Sequence, residues 1–194
     1  MVHLMYLGTN DPVYREAERR FRQGWKNKNK TYHIEGIFYI IQDGAVAQQH
    51  LANNRAYLQQ VSRRVPNGAE QYLFHGTQRA CHIGDDRNTW RELGPITCSA
   101  EASTPLAILL ADGYVWNDHM HSKKHTMFLS NVVVGRTEKL YRKDRSRTAP
   151  SPGFDSVVAV TKSNGGSVNN PETVVYREDA ILPSVVIVYT RKHH

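Results

Sequence analysis

Apolar segments with the composition of β-strands recur through the later two thirds of this chain of 194 residues. They are rich in Val, Ile, Phe and Tyr, which fit the pleated surface of a sheet, and polar turns separate them. These segments are 71–75, 126–134, 156–160, 172–176 and 181–189. Because no long helical pattern alternates with them, we expect an α+β fold rather than a sheet of βαβ units.

The helical patterns lie mainly before these strands. Asp11 and Pro12 have the form of an N-cap followed by a first-turn proline. Apolar residues then recur every four positions, which predicts an amphipathic helix; they are Val13, Ala17, Phe21 and Trp25. Residues 32–42 predict a strand and 45–65 a second helix, whose expected buried positions are Val46, Tyr57, Leu58 and Val61. Further along, Ser103 is placed to cap a short helix that runs through 106–110 to Asp112 and Gly113, and 136–147 predicts a loop.

Composition bounds the class of protein. Hydrophobic residues at 40% and charged residues at 22% are ordinary for one globular domain, which we take to span 1–194 with His193 and His194 as a tag remnant. The net charge of +7 favours anionic partners. Only Cys81 and Cys98 are present, so we expect an intracellular protein with reduced thiols. No apolar run reaches membrane-spanning length, so we expect no membrane contact. We also expect a monomer.

Two short motifs carry chemistry. Residues 75–77, His-Gly-Thr, end a strand and supply an imidazole, an open backbone and a hydroxyl at one point. Glu172 begins another strand, where an acid is costly unless the site uses its charge. Together they indicate a pocket that binds a polar nucleotide and stabilises positive charge.

These motifs resemble the catalytic domain of the poly(ADP-ribose) polymerase family, the diphtheria-toxin-like ADP-ribosyltransferases. The family's first signature, His-Gly-Ser or His-Gly-Thr, matches 75–77. Its last, Glu-aromatic-Val-Ile-Tyr with a proline seven residues after the tyrosine, matches 172–176 and Pro183. Residues 152–158 resemble the family's Gly-Tyr-Asp-Ser-Val stretch, and 127–135 the strand before it. The resemblance extends from about Glu16 onward, and the segment after His75 is similar to that of fungal members.

The resemblance implies two packed antiparallel-rich sheets around an NAD cleft, with N-terminal helices. NAD would be a substrate, and no metal is implied. His75 would donate to a ribose hydroxyl of the adenosine half, while Gly76, beside Thr77, would bind the nicotinamide carboxamide through its backbone. Glu172 would hydrogen-bond the reacting ribose and stabilise the developing cation. We expect His75 and Glu172 to converge on one cleft.

The family's third element is a tyrosine that stacks on nicotinamide, followed six residues later by a serine. Here the tyrosine position falls on Thr97 or Cys98, and the serine is Ser103. Neither Thr97 nor Cys98 has a ring, so we expect Tyr114 or Trp116 to supply the stacking face.

Each motif also has a structural interpretation. His75 could be a buried structural histidine, Glu172 a solvated acid at a strand start, and Ser103 only a helix N-cap. The histidines between 119 and 125, with Cys81 and His82, match no strong zinc spacing and favour a polar loop. The basic run 136–147 is typical of a solvated loop, or of a contact with an anion.

The expected function is mono-ADP-ribosylation of a protein or nucleic-acid acceptor. One alternative is a catalytically silent module on the same fold that binds NAD, nucleic acid or a protein. Another is an RNA 2′-phosphotransferase, which shares the broader fold but relies on basic core residues in place of the 172–176 motif.

Overall fold

The computed structural model describes residues 2–25, 30–75, 108–111, 124–144 and 146–193. These ranges contain two α-helices, nine strands and two 3-10 turns, at Lys162–Asn164 and Glu178–Ala180. The helices and strands are β1 (Val2–Tyr6), α1 (Pro12–Gly24), β2 (Lys30–Gln42), α2 (Ala45–Ser62), β3 (Glu70–His75), β4 (Ile108–Ala111), β5 (Lys124–Val133), β6 (Thr137–Leu140), β7 (Ser156–Ala159), β8 (Glu172–Val175) and β9 (Ile181–His193). The α+β class predicted from the sequence is confirmed.

Helix α1 begins as its sequence predicts. The Asp11 side chain accepts a hydrogen bond from the backbone N–H of Val13 at 2.7 Å, and Pro12 occupies the first turn, where no intrahelical donor is needed. The buried stripe consists of Tyr14, Ala17, Phe21 and Gly24. Val13 lies outside this stripe and is 37% exposed, so the apolar face begins one residue later than the sequence pattern suggested.

All nine strands join one sheet in the order β1-β2-β9-β5-β3-β4-β8-β7-β6. Neighbours are antiparallel except β6 and β7, which are parallel. Among the described residues, β3 and β4 share a single register pair, Phe74 with Ala111. This pair divides the sheet into a five-stranded block (β1, β2, β9, β5, β3) and a four-stranded block (β4, β8, β7, β6). The resemblance implied two packed antiparallel-rich sheets; the described strands instead form two antiparallel-rich blocks that are joined edge to edge in one sheet.

The register aligns one row of residues across the junction. Phe74 lies opposite Ala111, Ala111 opposite Glu172, Glu172 opposite Ala159, and Ala159 opposite Leu140. From this row β3 extends back to Glu70, whereas β8 extends forward to Val175 in the other direction. The two blocks are therefore offset along the strand direction, and they overlap near the row.

A helix packs on each face of the sheet. On the α1 face, Phe21 of α1 packs in one core cluster with Phe74 and Leu129. On the α2 face, Tyr57 and Val61 of α2 pack in a second cluster; its strand members include Leu73, Val132 and Val175. The α2-face cluster contains residues of both blocks, so the helix stabilises the junction from one side.

Several sequence predictions need correction. Residues 108–111 form strand β4, not part of the predicted helix, because their backbone pairs with β3 on one side and with β8 on the other. Part of the predicted loop 136–147 is strand β6, which pairs with β7. Strand β1 was not predicted, and α2 ends at Ser62 rather than at residue 65.

Asp155 connects the turn after β5 with the end of α2. Its carboxylate accepts a hydrogen bond from the backbone N–H of Arg136 at 2.9 Å and one from the Arg64 guanidinium at 2.7 Å. The side chain is only 7% exposed. It packs against the Cα of Gly135, where a Cβ would overlap the carboxylate.

We predict that Gly135→Ala lowers the free energy of unfolding by about 2–4 kcal/mol. The alanine would have to adopt a left-handed backbone conformation, and its Cβ would also displace the Asp155 carboxylate from its hydrogen bonds. Gly68→Ala is the matched control: φ is +83° at Gly68 and +53° at Gly135, but nothing lies within 4 Å of the added Cβ at Gly68. This control should lose only about 1 kcal/mol. Urea denaturation measures both, and equal losses would contradict the role assigned to Asp155.

Candidate active site at the junction of the two blocks

Glu172 lies where the two blocks overlap. It is the first residue of β8, directly after Pro171, whose missing N–H suits a position outside the strand ladder. Its register partners are Ala111 on one side and Ala159 on the other. The side chain is half-buried, and within the described ranges it makes no hydrogen bond or ion pair. This is the lone acid on an apolar strand that the sequence singled out.

The electrostatic surroundings of Glu172 are unfavourable to its charge. Burial raises the pKa of the Glu172 carboxyl, and the ammonium of Lys143 acts in the opposite direction. Lys143 follows the end of β6, whose last residue, Leu140, lies in the same row as Glu172 two strands away. In the sequence Lys143 is only one member of a basic run, and nothing there indicates that this run lies near Glu172.

The strand that carries Glu172 is firmly held. Thr173 and Val175 are buried, and the chain beyond β8 is attached to α2. Asn54 of α2 donates to the backbone carbonyl of Asp179 at 2.9 Å, and the Arg177 guanidinium lies 4.3 Å from the centre of the Tyr57 ring. The backbone that carries Glu172 is therefore held in place by contacts on both sides of β8 and beyond its end.

His75 ends β3 close to the same point. Its neighbour Phe74 is in the row with Glu172, with only β4 between the two strands. At a strand spacing of about 4.8 Å, the backbones of these two strands lie about 10 Å apart. The fold thus brings together two strand ends that are 97 residues apart in the sequence.

The two side chains nevertheless leave the sheet on different faces. Residues directly opposite in a ladder share a face, and consecutive residues alternate. Glu172 is in register with Phe74 and belongs to the α1 face, whereas His75 is opposite Phe128 and belongs to the α2 face. The two strand ends lie close together, but the expected convergence of the side chains is not observed, because the imidazole and the carboxylate leave the sheet on opposite faces.

A recess of about 570 Å³ lies on the α1 face beside β3. It is lined by Arg20, Glu70, Gln71, Tyr72, Leu73 and Asn131. Arg20 donates to the backbone carbonyl of Tyr72 at 3.1 Å, and burial raises the pKa of Tyr72 to about 12, so its hydroxyl stays protonated at neutral pH. Glu172 belongs to the same face of the sheet. Its row contains Phe74, which directly follows the β3 residues that line the recess. The lining residues could not be identified from the sequence, because Arg20 of α1 and the residues of β3 are far apart along the chain and come together only when it folds.

The remaining predicted site residues lie outside the described ranges. They are Gly76, Thr77, Thr97, Cys98, Ser103 and Tyr114. Their assignments stay predictions.

Two further features bear on binding chemistry. His125, predicted in a polar loop, is instead 6% exposed within β5, and the guanidinium of Arg191 donates to its imidazole at 2.9 Å. In the described part of the chain, no cluster of three or more His, Cys, Asp or Glu side chains has an arrangement suited to a metal ion. Neither described α-helix has the length and apolar character needed to cross a membrane.

Comparison with known proteins adds no assignment. Neither models of protein families nor functionally curated proteins give a match to this sequence.

The pKa of Glu172 provides a direct test of this site. Because burial raises it, the folded state holds its proton more tightly than the unfolded state, so this group's contribution to stability falls as pH rises through the ordinary carboxyl range. We therefore predict that Glu172→Gln becomes more stable relative to wild type between about pH 4 and about pH 7.

Urea denaturation across this pH range measures the effect, and Glu138→Gln is the control of opposite sign. The pKa of Glu138 is lowered mainly by the hydrogen bond from the backbone N–H of Ser151. Loss of the Glu138 carboxylate should therefore destabilise the protein increasingly as pH rises. Lys143→Gln should raise the pKa of Glu172 further, as measured by carbon-13 NMR of its carboxyl. A Glu172 pKa below the ordinary carboxyl range would contradict the effect of burial inferred for this side chain.

Proposed function

We propose that this protein is an NAD-dependent ADP-ribosyltransferase of the poly(ADP-ribose) polymerase type that transfers one ADP-ribose to an acceptor and releases nicotinamide. The observation that carries the proposal is Glu172: a half-buried carboxylate with no hydrogen-bond partner in the described ranges, on a strand that only β4 separates from the strand ending at His75. We also propose that this α+β protein has the ADP-ribosyltransferase fold.

The chemistry suits an isolated carboxylate. Cleavage of the bond between nicotinamide and ribose places positive charge on the sugar, and a carboxylate already in place stabilises that charge without reorganisation. Burial has removed water from around Glu172, so a cation arriving beside it restores a favourable interaction. The same carboxylate would accept hydrogen bonds from the ribose hydroxyls and orient the sugar for attack.

The separation of His75 from Glu172 fits a ligand with two ends. In the proposed complex His75 contacts the adenosine half of NAD and Glu172 the nicotinamide ribose. Because β4 fills the space between β3 and β8, an extended dinucleotide would have to pass around the end of β3 to reach groups on both faces of the sheet. The backbone of Gly76 would then bind the carboxamide.

A second candidate is a catalytically silent module on the same fold. The register favours it in one respect, because His75 and Glu172 belong to opposite faces. Such a module would bind NAD, nucleic acid or a protein partner without breaking the nicotinamide bond.

We predict that Glu172→Gln reduces nicotinamide release from labelled NAD by at least about 100-fold, because it removes the charge but keeps the shape and hydrogen-bonding capacity. Glu178→Gln, an exposed glutamate in the turn after β8, is the matched control and should keep wild-type activity. Release of nicotinamide and transfer of label to macromolecules are measured in parallel.

The outcomes separate the candidates. Wild-type release that disappears in Glu172→Gln supports the transferase. NAD binding without release by the wild type supports the silent module, and transfer of a 2′-phosphate from RNA to NAD would support the phosphotransferase. Release that is equal in wild type and Glu172→Gln would contradict the role of Glu172.

His75 should act on binding rather than on bond cleavage. We predict that His75→Ala raises the Kd for NAD by about fivefold or more, because one hydrogen bond to the ligand is lost, while Glu172→Gln leaves this Kd within about twofold. Isothermal titration calorimetry with NAD measures both. An unchanged Kd in His75→Ala would exclude the imidazole from the ligand site.

A further inference from the structure

The edge of the sheet opposite β1 carries a concentration of exposed cations. Strand β6 is the last strand of the order, so one of its sides is not paired with another described strand. The exposed cations on and around it are Arg136, Lys139, Arg142 and Lys143. We call these residues, together with Tyr141, the β6 edge.

The acidic residues of this region are already engaged. Glu138 accepts from Arg147 at 2.7 Å and from the backbone N–H of Ser151 at 2.8 Å. Asp144 accepts from the hydroxyl of Ser146 at 2.8 Å and forms an ion pair with Arg147. Arg147 thus offsets the negative charge of both, and the exposed cations of the β6 edge form no ion pair with any described residue.

An aromatic ring lies among these cations. Tyr141 directly follows β6 and is 53% exposed, which is high for a large side chain. Arg142 and Lys143 follow it in the chain. A solvent-facing ring next to exposed cations in the chain is the combination found in sites that bind single-stranded nucleic acid. In such sites bases stack on aromatic rings, and phosphates pair with Lys and Arg. An acidic peptide would use the cations but would have no base to stack on the ring.

We propose that the β6 edge binds single-stranded nucleic acid, with a base stacked on Tyr141 and the adjacent phosphates on Arg142 and Lys143. This binding surface goes beyond the proposed transferase activity and does not require it. Lys143 also interacts electrostatically with Glu172, so a bound strand would lie close to the candidate active site.

The test is fluorescence anisotropy of a fluorescein-labelled oligodeoxythymidine of about 12 nucleotides, within the usual site size for such proteins. It is measured without NAD and over a range of salt concentrations. Arg142→Gln combined with Lys143→Gln should weaken binding about tenfold or more at low salt. It should also reduce the slope of log affinity against log salt by about 1.4, which corresponds to two phosphate contacts. Arg55→Gln combined with Arg63→Gln, two exposed arginines of the α2 region, is the control with the same loss of charge and should change the Kd by less than about twofold.

The aromatic contact is tested separately. Tyr141→Ala should weaken binding about fivefold or more, whereas Tyr141→Phe, which keeps the ring, should bind like wild type. Three results would overturn the proposal: no saturable binding at low salt, equal losses in the two double variants, or poly-L-glutamate competing as well as unlabelled oligonucleotide with Tyr141→Ala unaffected. Because the measurement involves no NAD, a failure of the transferase proposal leaves this result interpretable, and the reverse also holds.

Discussion

The period-2 alternation of side chains along a strand governs what this site can do. At the junction of the two blocks, Phe74 and Glu172 share a row, so the residue after Phe74 necessarily belongs to the other face. The backbone positions of His75 and Glu172 are therefore close, while their side chains are separated by the thickness of the sheet. In the proposed complex, a ligand that contacts both groups would have to extend from one face of the sheet to the other.

Glu172 differs from the other partly buried carboxylates that the structure describes. Asp155 receives hydrogen bonds from the Arg136 backbone and from Arg64, and Asp179 from Arg177. The pKa of Asp179 is lowered by its partner, whereas that of Glu172 is raised by burial. Within the described ranges, the other two acids are satisfied by donors while Glu172 is not, and a carboxyl whose pKa is perturbed in this way is a candidate for a functional site.

The sequence predicted those elements whose signals are local. The Asp11 cap with Pro12 specified the start of α1, and β-branched runs specified β5, β8 and β9. It did not predict β4, because four apolar residues fit a helix or a strand equally well and only the neighbours β3 and β8 decide between them. The importance of Glu172 could be predicted from its placement on an apolar strand. The proximity of Lys143 and the opposite face of His75 could not, since both depend on the register between strands distant in the sequence.

The α2-face cluster has a consequence for the candidate active site. It combines Leu73 from the five-stranded block and Val175 from the four-stranded block under Val61 of α2. Since β3 and β4 share a single register pair at the described junction, these apolar contacts add to the backbone pairing that joins the two blocks. Under the proposed function, the volume of these core side chains would influence the distance between the imidazole and the carboxylate, and exchange of one aliphatic side chain for another would change the length of ligand that reaches both.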